Sequence, residues 1–294
     1  MVKELSYIEI LKKYAKPLHP LPTGLKSGGK LKRTVHAVFF DIYGTLFISS
    51  SGDISSSGIY LSSGENEKLK KFNELLDIYC INIDGAEVLK RYYNEIKKVH
   101  TRLRSQGIDF PEVEIERVWM EVLNIGCPEY GRQFAIEYES IFNPVWPMPY
   151  LKEALSSLND RGILLGIISN AQFFTPLLFE AFFNAVPEEF GFSEDLIFYS
   201  FAYKYAKPSQ FLFKEAWKAL RKRTIVPANA LFVGNDMLND IYPAHAAGFQ
   251  TALFAGDRRS LKMREEDRRC SSLSPDLIVT DLKNLSDYIN VYGE

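Results

Sequence analysis

The chain is poor in the residues from which thiol and imidazole sites are built. Its 294 residues hold three cysteines and four histidines. Cys80, Cys127 and Cys270 form no Cys-x-x-Cys pair, which excludes a dithiol redox motif and reads as unpaired thiols in a reducing compartment. His19, His36, His100 and His245 show no ligand spacing, and no Gly-x-Ser-x-Gly elbow marks a serine hydrolase. No apolar run approaches the ~18 residues needed to span a bilayer, and no signal peptide opens the chain; the expectation is a cytoplasmic protein. Charge of one sign is lacking too. A net charge of −2 gives no reason to expect nucleic acid or an anionic membrane as partner.

What is present is ordinary globular material, 46% apolar, and long enough for a core with a second subdomain. Residues 1–34 read as an N-terminal helix and linker: Leu5, Ile8 and Leu11 recur at helical spacing, and Pro17, Pro20 and Pro22 end any helix. The stretch Gly24–Lys30 imitates the start of a phosphate loop. No strand precedes it and Leu31 stands where Ser or Thr is needed, so a flexible linker is expected. A Ser/Gly-rich stretch from Ser49 to Gly64 reads as a mobile loop able to gate a site. Residues 65–142 carry helical stripes, the longest being Leu89, Tyr92, Ile96, Val99 and Leu103 behind an Asp84-x-x-Glu87 capping box. From residue 150 helix and strand alternate, with strands expected at 163–168, 197–201, 230–233, 251–254 and 277–279. That rhythm predicts a doubly wound parallel sheet.

One segment concentrates the chemistry. The run Val35-His36-Ala37-Val38-Phe39-Phe40 is a strand buried on both faces, and it delivers Asp41 to its end ahead of Ile42-Tyr43-Gly44-Thr45. In open α/β sheets, reactions collect beyond the carboxyl ends of the strands. Three further pieces follow in order. Strand 163–168 ends in Ser169-Asn170, a hydroxyl and amide beside exposed backbone N–H groups. Lys207-Pro208 offers a fixed positive charge, with Lys204 as a rival in register. Phe232-Val233-Gly234-Asn235-Asp236 and Asp240 supply acids after a strand. The basic stretch from Arg258 to Arg269 is interleaved with Glu265, Glu266 and Asp267 and reads as a solvated loop.

These four pieces resemble the motifs of the haloacid dehalogenase superfamily. The resemblance implies a Rossmann-like α/β core, residues 35–48 and 146–294, with a flexible loop and all-helical cap inserted at 49–145. It implies Asp41 as nucleophile and Lys207 as the lysine that neutralises nucleophile and substrate anion. Thr45, Ser169, Asn170 and Asn235 become substrate contacts. Mg²⁺ would be held by Asp41, the Tyr43 carbonyl, Asp236 and Asp240, with Asp236 favoured over Asn235 as the harder anion. Tyr43 departs from the phosphatase pattern, which has a second aspartate there to protonate the leaving group; the dehalogenase branch has tyrosine. Three functions follow from the resemblance: a Mg²⁺-dependent phosphatase acting on a small phosphorylated metabolite through an aspartyl-phosphate, a metal-independent 2-haloacid dehalogenase, or a non-catalytic binding protein. Oligomeric state is left open.

Overall fold

A computed structural model of the chain describes residues 6–51 and 65–289. Its strands are β1 (Gly28–Gly29), β2 (Ala37–Phe40), β3 (Phe47–Ser49), β4 (Val145–Pro147), β5 (Leu164–Ser169), β6 (Phe192–Tyr199), β7 (Ala230–Gly234), β8 (Gln250–Phe254) and β9 (Leu277–Val279). Its helices are α1 (Tyr7–Tyr14), α2 (Glu65–Ile78), α3 (Gly85–Ser105), α4 (Ile115–Leu123), α5 (Pro128–Phe142), α6 (Leu151–Asp160), α7 (Leu177–Phe183), α8 (Ser200–Tyr203), α9 (Phe211–Arg221) and α10 (Tyr242–Ala246). The central sheet has the order β1-β9-β8-β7-β2-β5-β6, and every neighbouring pair is parallel except β1 with β9. β3 and β4 form a separate antiparallel hairpin.

The sheet is buried on both faces because its strands are apolar on both. Along β2, Val38 and Phe40 join the core on one side while Ala37 and Phe39 join the core on the other. The chain leaves β2 toward β5 and β6, then returns to β7 on the opposite flank of β2. This reversal makes β2 and β7 a switch point, and a crevice opens at their carboxyl ends.

Helices α2 to α5 lie in sequence between the two strands of the β3–β4 hairpin. They pack around Trp119, which is fully buried and stacks on Tyr92 at 4.2 Å, with Tyr138 at 4.5 Å and Phe134 at 4.9 Å. Helix α1 starts on a complete capping box, Ser6 with Glu9. It buries Ile10 and Leu11 against α5 and α7, so one short helix touches both the helical block and the sheet layer. Its polar contacts follow the same division. Tyr7 donates to Glu129, Lys13 pairs with Glu137, and Lys12 donates to Asn184 after α7.

Several local expectations differ. Within the expected linker, Gly28 and Gly29 pair with Ile278 and Leu277 as an edge strand. Two glycines carry no periodicity, so only the partner strand reveals them. The strand expected at 197–201 runs from Phe192 to Tyr199 and gives way to α8. Asp84 accepts from Ala86 and Glu87 backbone N–H groups as an N-cap, while Glu87 pairs with Arg91 one turn on. Leu5 and, from residue 52 onward, the Ser/Gly-rich stretch to Gly64 lie outside the described residues. No helix among the described residues is long and apolar enough to cross a membrane.

Candidate active site

Asp41 follows β2 directly. Its side chain is 10% exposed, and Oδ1 accepts from Lys207 Nζ at 2.8 Å. Between the two lysines weighed from sequence, the geometry selects Lys207: Lys204 sits in a left-handed turn, where its carbonyl accepts from Glu112 N–H. Lys207 is buried, and its ammonium also donates to Asp240 Oδ1 at 2.5 Å and to the Ile168 carbonyl at 3.2 Å. Asn170 fixes that lysine from behind. Its Oδ1 accepts from Lys207 N–H at 2.6 Å and its Nδ2 donates to the Lys207 carbonyl at 3.2 Å. Burial alone would push the ammonium pKa down, but Asp240 and Asp41 outweigh it and hold Lys207 above its ordinary value.

Asp240 has both oxygens engaged. Oδ1 takes the lysine, and Oδ2 accepts from the backbone N–H groups of Asn235 and Asp236, both at 2.9 Å. The turn is close: a Cβ on Gly234 would lie 2.5 Å from the Asp240 carboxyl carbon, so the position admits only glycine. Burial raises the Asp240 pKa while Lys207 opposes it. We assign the carboxylate form, because Oδ1 faces the lysine ammonium and Oδ2 accepts from two backbone N–H groups.

Asn235 and Asp236 diverge. Asn235 turns toward the loop after Asp41, where Oδ1 accepts from Thr45 Oγ1 at 3.0 Å and Nδ2 donates to the Ser260 carbonyl at 2.8 Å. Gly44, at φ +84°, leaves room for it; a Cβ there would come within 2.7 Å of Asn235 Nδ2. Asp236 turns outward. It caps the π turn Met237–Ile241 through Leu238 and Asn239 N–H, and Arg264 grips both its oxygens, Nη2 at 2.6 Å and Nε at 3.1 and 3.2 Å. The aspartate favoured from sequence as the third metal donor is thus held by an arginine. The neutral amide of Asn235 occupies the place beside the Asp41 loop, and Asp240 is given over to the lysine.

Tyr43 is also placed otherwise than as an acid over Asp41. Its hydroxyl hydrogen-bonds Thr175 Oγ1 at 2.9 Å, and its ring lines a cavity of about 20 Å³ with residues of α1, α5 and α7. Burial, followed by Glu139, pushes the phenol far above its ordinary pKa, so it stays neutral. Ser169 is fully buried at the end of β5 and donates to the Asn170 carbonyl at 3.2 Å.

Above Lys207 and Asn170 lies a cavity of about 320 Å³ walled by α3 and residues 110–115 on one side and by core loops on the other. A larger depression, about 910 Å³, is a surface groove along α3 and contains none of these residues. The roof is stitched to the floor. Ala206 N–H donates to the Phe110 carbonyl at 2.8 Å, Pro111 bridges Tyr205, and Glu112 accepts from Gln172 Nε2 at 3.0 Å and Ser200 Oγ at 2.7 Å. Sequence reasoning missed Glu112, Gln172, His100, Arg104, Arg264 and Arg269. Only Arg264 and Arg269 lay in a stretch already singled out, and there as solvated surface.

At the end of a parallel strand, a buried carboxylate is thus paired with a lysine that a second buried acid also holds. The model of the haloacid dehalogenase-like hydrolase family matches residues 35–248, and the chain belongs to that family. A curated relative, the ribulose-1,5-bisphosphate 5-phosphatase of Halopiger xanaduensis, is 25% identical over 173 residues, 57% of this chain and 68% of the relative. Among solved structures, a 2-haloacid dehalogenase from Pseudomonas syringae pv. tomato superposes with a TM-score of 0.52 at 18% identity, covering 86% of this chain and 97% of its own. A phosphatase of the same family from Thermococcus onnurineus gives 0.51 at 17% identity, with coverage of 86% and 97%. At these identities the structural likenesses speak for the fold alone.

Proposed function

We propose that the protein is a phosphatase acting through an aspartyl-phosphate on a small phosphorylated molecule. The observation that carries this reading is the buried Asp41–Lys207–Asp240 chain, whose lysine lines the cavity. Lys207 compensates the charge that would otherwise forbid a carboxylate from attacking an anionic ester. The curated phosphatase relative supports the same substrate class. The Asp41 carboxylate attacks phosphorus, an O–P bond forms, and the bond to the leaving oxygen breaks with its electron pair. Water then cleaves the aspartyl-phosphate, releasing phosphate and restoring the carboxylate. Lys207 stays on Asp41 throughout, and Asn170 keeps it there.

Mg²⁺ suits the oxygens that remain near Asp41. Asp41 Oδ2 has no hydrogen-bond partner among the described residues, and Asn235 Oδ1 takes one donor and keeps a lone pair. One carboxylate with neutral oxygens and a substrate phosphate is a usual Mg²⁺ environment. Asp41, Asn235 and the Tyr43 carbonyl would hold the ion, which would offset phosphoryl charge; Asp236, gripped by Arg264, is not in this set. With Tyr43 turned to Thr175, no acid is placed to protonate the leaving group. Aryl and acyl phosphates, whose leaving groups are weak bases, are the expected good substrates.

The test is hydrolysis of p-nitrophenyl phosphate with Mg²⁺ by the wild type and by Asp41→Asn. Turnover by the wild type with none in the variant is expected, since the amide is nearly isosteric but forms no covalent intermediate. Retained turnover in Asp41→Asn refutes the mechanism. A second reading, a 2-haloacid dehalogenase, is favoured by the neutral Tyr43 and Asn235, because halide leaves without a proton. Chelator-insensitive halide release from a short 2-haloacid, with no phosphate release, would put it first.

A further inference from the structure

The cavity wall facing Lys207 has a charge pattern of its own. Tyr92, Ile96, His100 and Arg104 follow one another at four-residue steps and share a face of α3. Tyr92 and Ile96 are buried, His100 is half-buried, and Arg104 is exposed, so the face leaves the core and enters the cavity toward the helix end. Arg269 lines the same cavity from the core side, where Asp267 orients its guanidinium and Tyr242 lies beneath it. The acid in the wall, Glu112, is committed on both oxygens, to Gln172 and Val113 N–H and to Ser200. The Arg104 guanidinium has no hydrogen-bond or ion-pair partner among the described residues, and burial, followed by that charge, disfavours protonation of His100.

We propose that His100, Arg104 and Arg269 form a second anion subsite, so that the ligand of this cavity carries a phosphate toward Lys207 and a further phosphate or carboxylate on these three side chains. This rests on the phosphatase reading for the first anion and adds to it the class of substrate. Lys207, Arg104 and Arg269 line one cavity worth roughly ten water volumes, and several cations around one cavity recognise two anions on one small molecule better than one. A last-turn arginine has another reason to exist, since it complements the helix dipole. Arg102 shares that reason but lies along the outer groove of α3, and therefore serves as the control.

The experiment measures binding to the full-length protein by calorimetry with three non-hydrolysable probes: propylphosphonate, 3-phosphonopropionate and propane-1,3-diylbisphosphonate. One or both doubly anionic probes should bind about tenfold tighter than propylphosphonate or better. Whether the carboxylate or the second phosphonate gains more identifies the second anion. Arg104→Gln should bring that ratio close to one, while Arg102→Gln should preserve it. A wild-type ratio of one overturns the subsite, as does an equal loss for all three probes in Arg104→Gln. Failure of p-nitrophenyl phosphate hydrolysis with the ratio intact would sink the phosphatase reading and leave the subsite standing.

Discussion

Lys207→Met is the most searching single perturbation of this fold, because one side chain holds two buried acids. Lys207 reaches Asp41 at 2.8 Å and Asp240 at 2.5 Å, and its side chain is 2% exposed. Methionine keeps the length and most of the volume but removes the charge. Both carboxylates then remain in a poorly solvated pocket without compensation, and breaking a buried pair costs about 3–5 kcal/mol. With roughly 2–4 °C per kcal/mol for a chain of this size class, the melting temperature should fall by about 10 °C at pH 8. The sign of the pH dependence also follows. Stranded carboxyls have folded-state pKa values above their unfolded ones, so the stability of Lys207→Met should be highest at low pH and fall as pH rises through those raised values. Adding Asp240→Asn removes one of the charges, and the amide oxygen still accepts from Asn235 and Asp236 N–H. The double variant should therefore recover stability while staying inactive, a non-additive result in a thermal-unfolding cycle. Unchanged stability in Lys207→Met at pH 8, or strictly additive costs, would refute the electrostatic account of this site.

Leu11→Ala should cost about 2–3 kcal/mol and speed amide exchange in α1 first, since Leu11 is buried between α5 and α7. Asp276 offers a pH test away from the active site. Burial pushes its carboxyl up, but the Lys32 ion pair and Thr251 N–H pull it below the ordinary value. Its stabilisation should be complete above the usual aspartate range and be lost as pH falls through the lowered folded value. Asp276→Asn should accordingly be less stable than wild type by about 1 kcal/mol at neutral pH, discounting the exposed Lys32, and equal to it in strong acid by urea unfolding. Tyr43→Asp should destabilise the fold by about 2 kcal/mol or more, because it puts a carboxylate near Glu139 in a space built for a ring. An increase in alkyl-phosphate turnover with unaltered melting would contradict that placement.

What could be read from the sequence was local and repetitive. Ala37 to Phe40 announces a strand buried on both faces because four apolar residues in succession have no other use, and Asp41 then falls at the carboxyl end by position alone. Lys207 and Asp240 were legible through the resemblance of their surroundings, Lys207-Pro208 and Gly234 to Asp240, to motifs of the family. What could not be read was pairing at a distance. Arg264 meets Asp236 across 28 residues, Glu112 meets Gln172 across 60, and Ser200 meets Glu112 across 88. No periodicity encodes such contacts, and by charge alone Arg264 is indistinguishable from the solvated arginines around it.

Tyr43 shows how one such distant contact changes the meaning of a residue. Taken with its sequence neighbours it is an acid position that has lost its acid. In the fold it lines a small cavity together with Leu11 and Tyr14 of α1, Glu139 of α5, and Phe174 and Leu178 at α7. A carboxylate in that enclosure would lie beside Glu139 with no cation among these neighbours, whereas a phenol fills the space and gives its one polar atom to Thr175. The tyrosine and the N-terminal helix therefore belong to one arrangement. Helix α1 touches both α5 and α7 and shares with Tyr43 the small cavity in which a carboxylate would meet Glu139 and no cation.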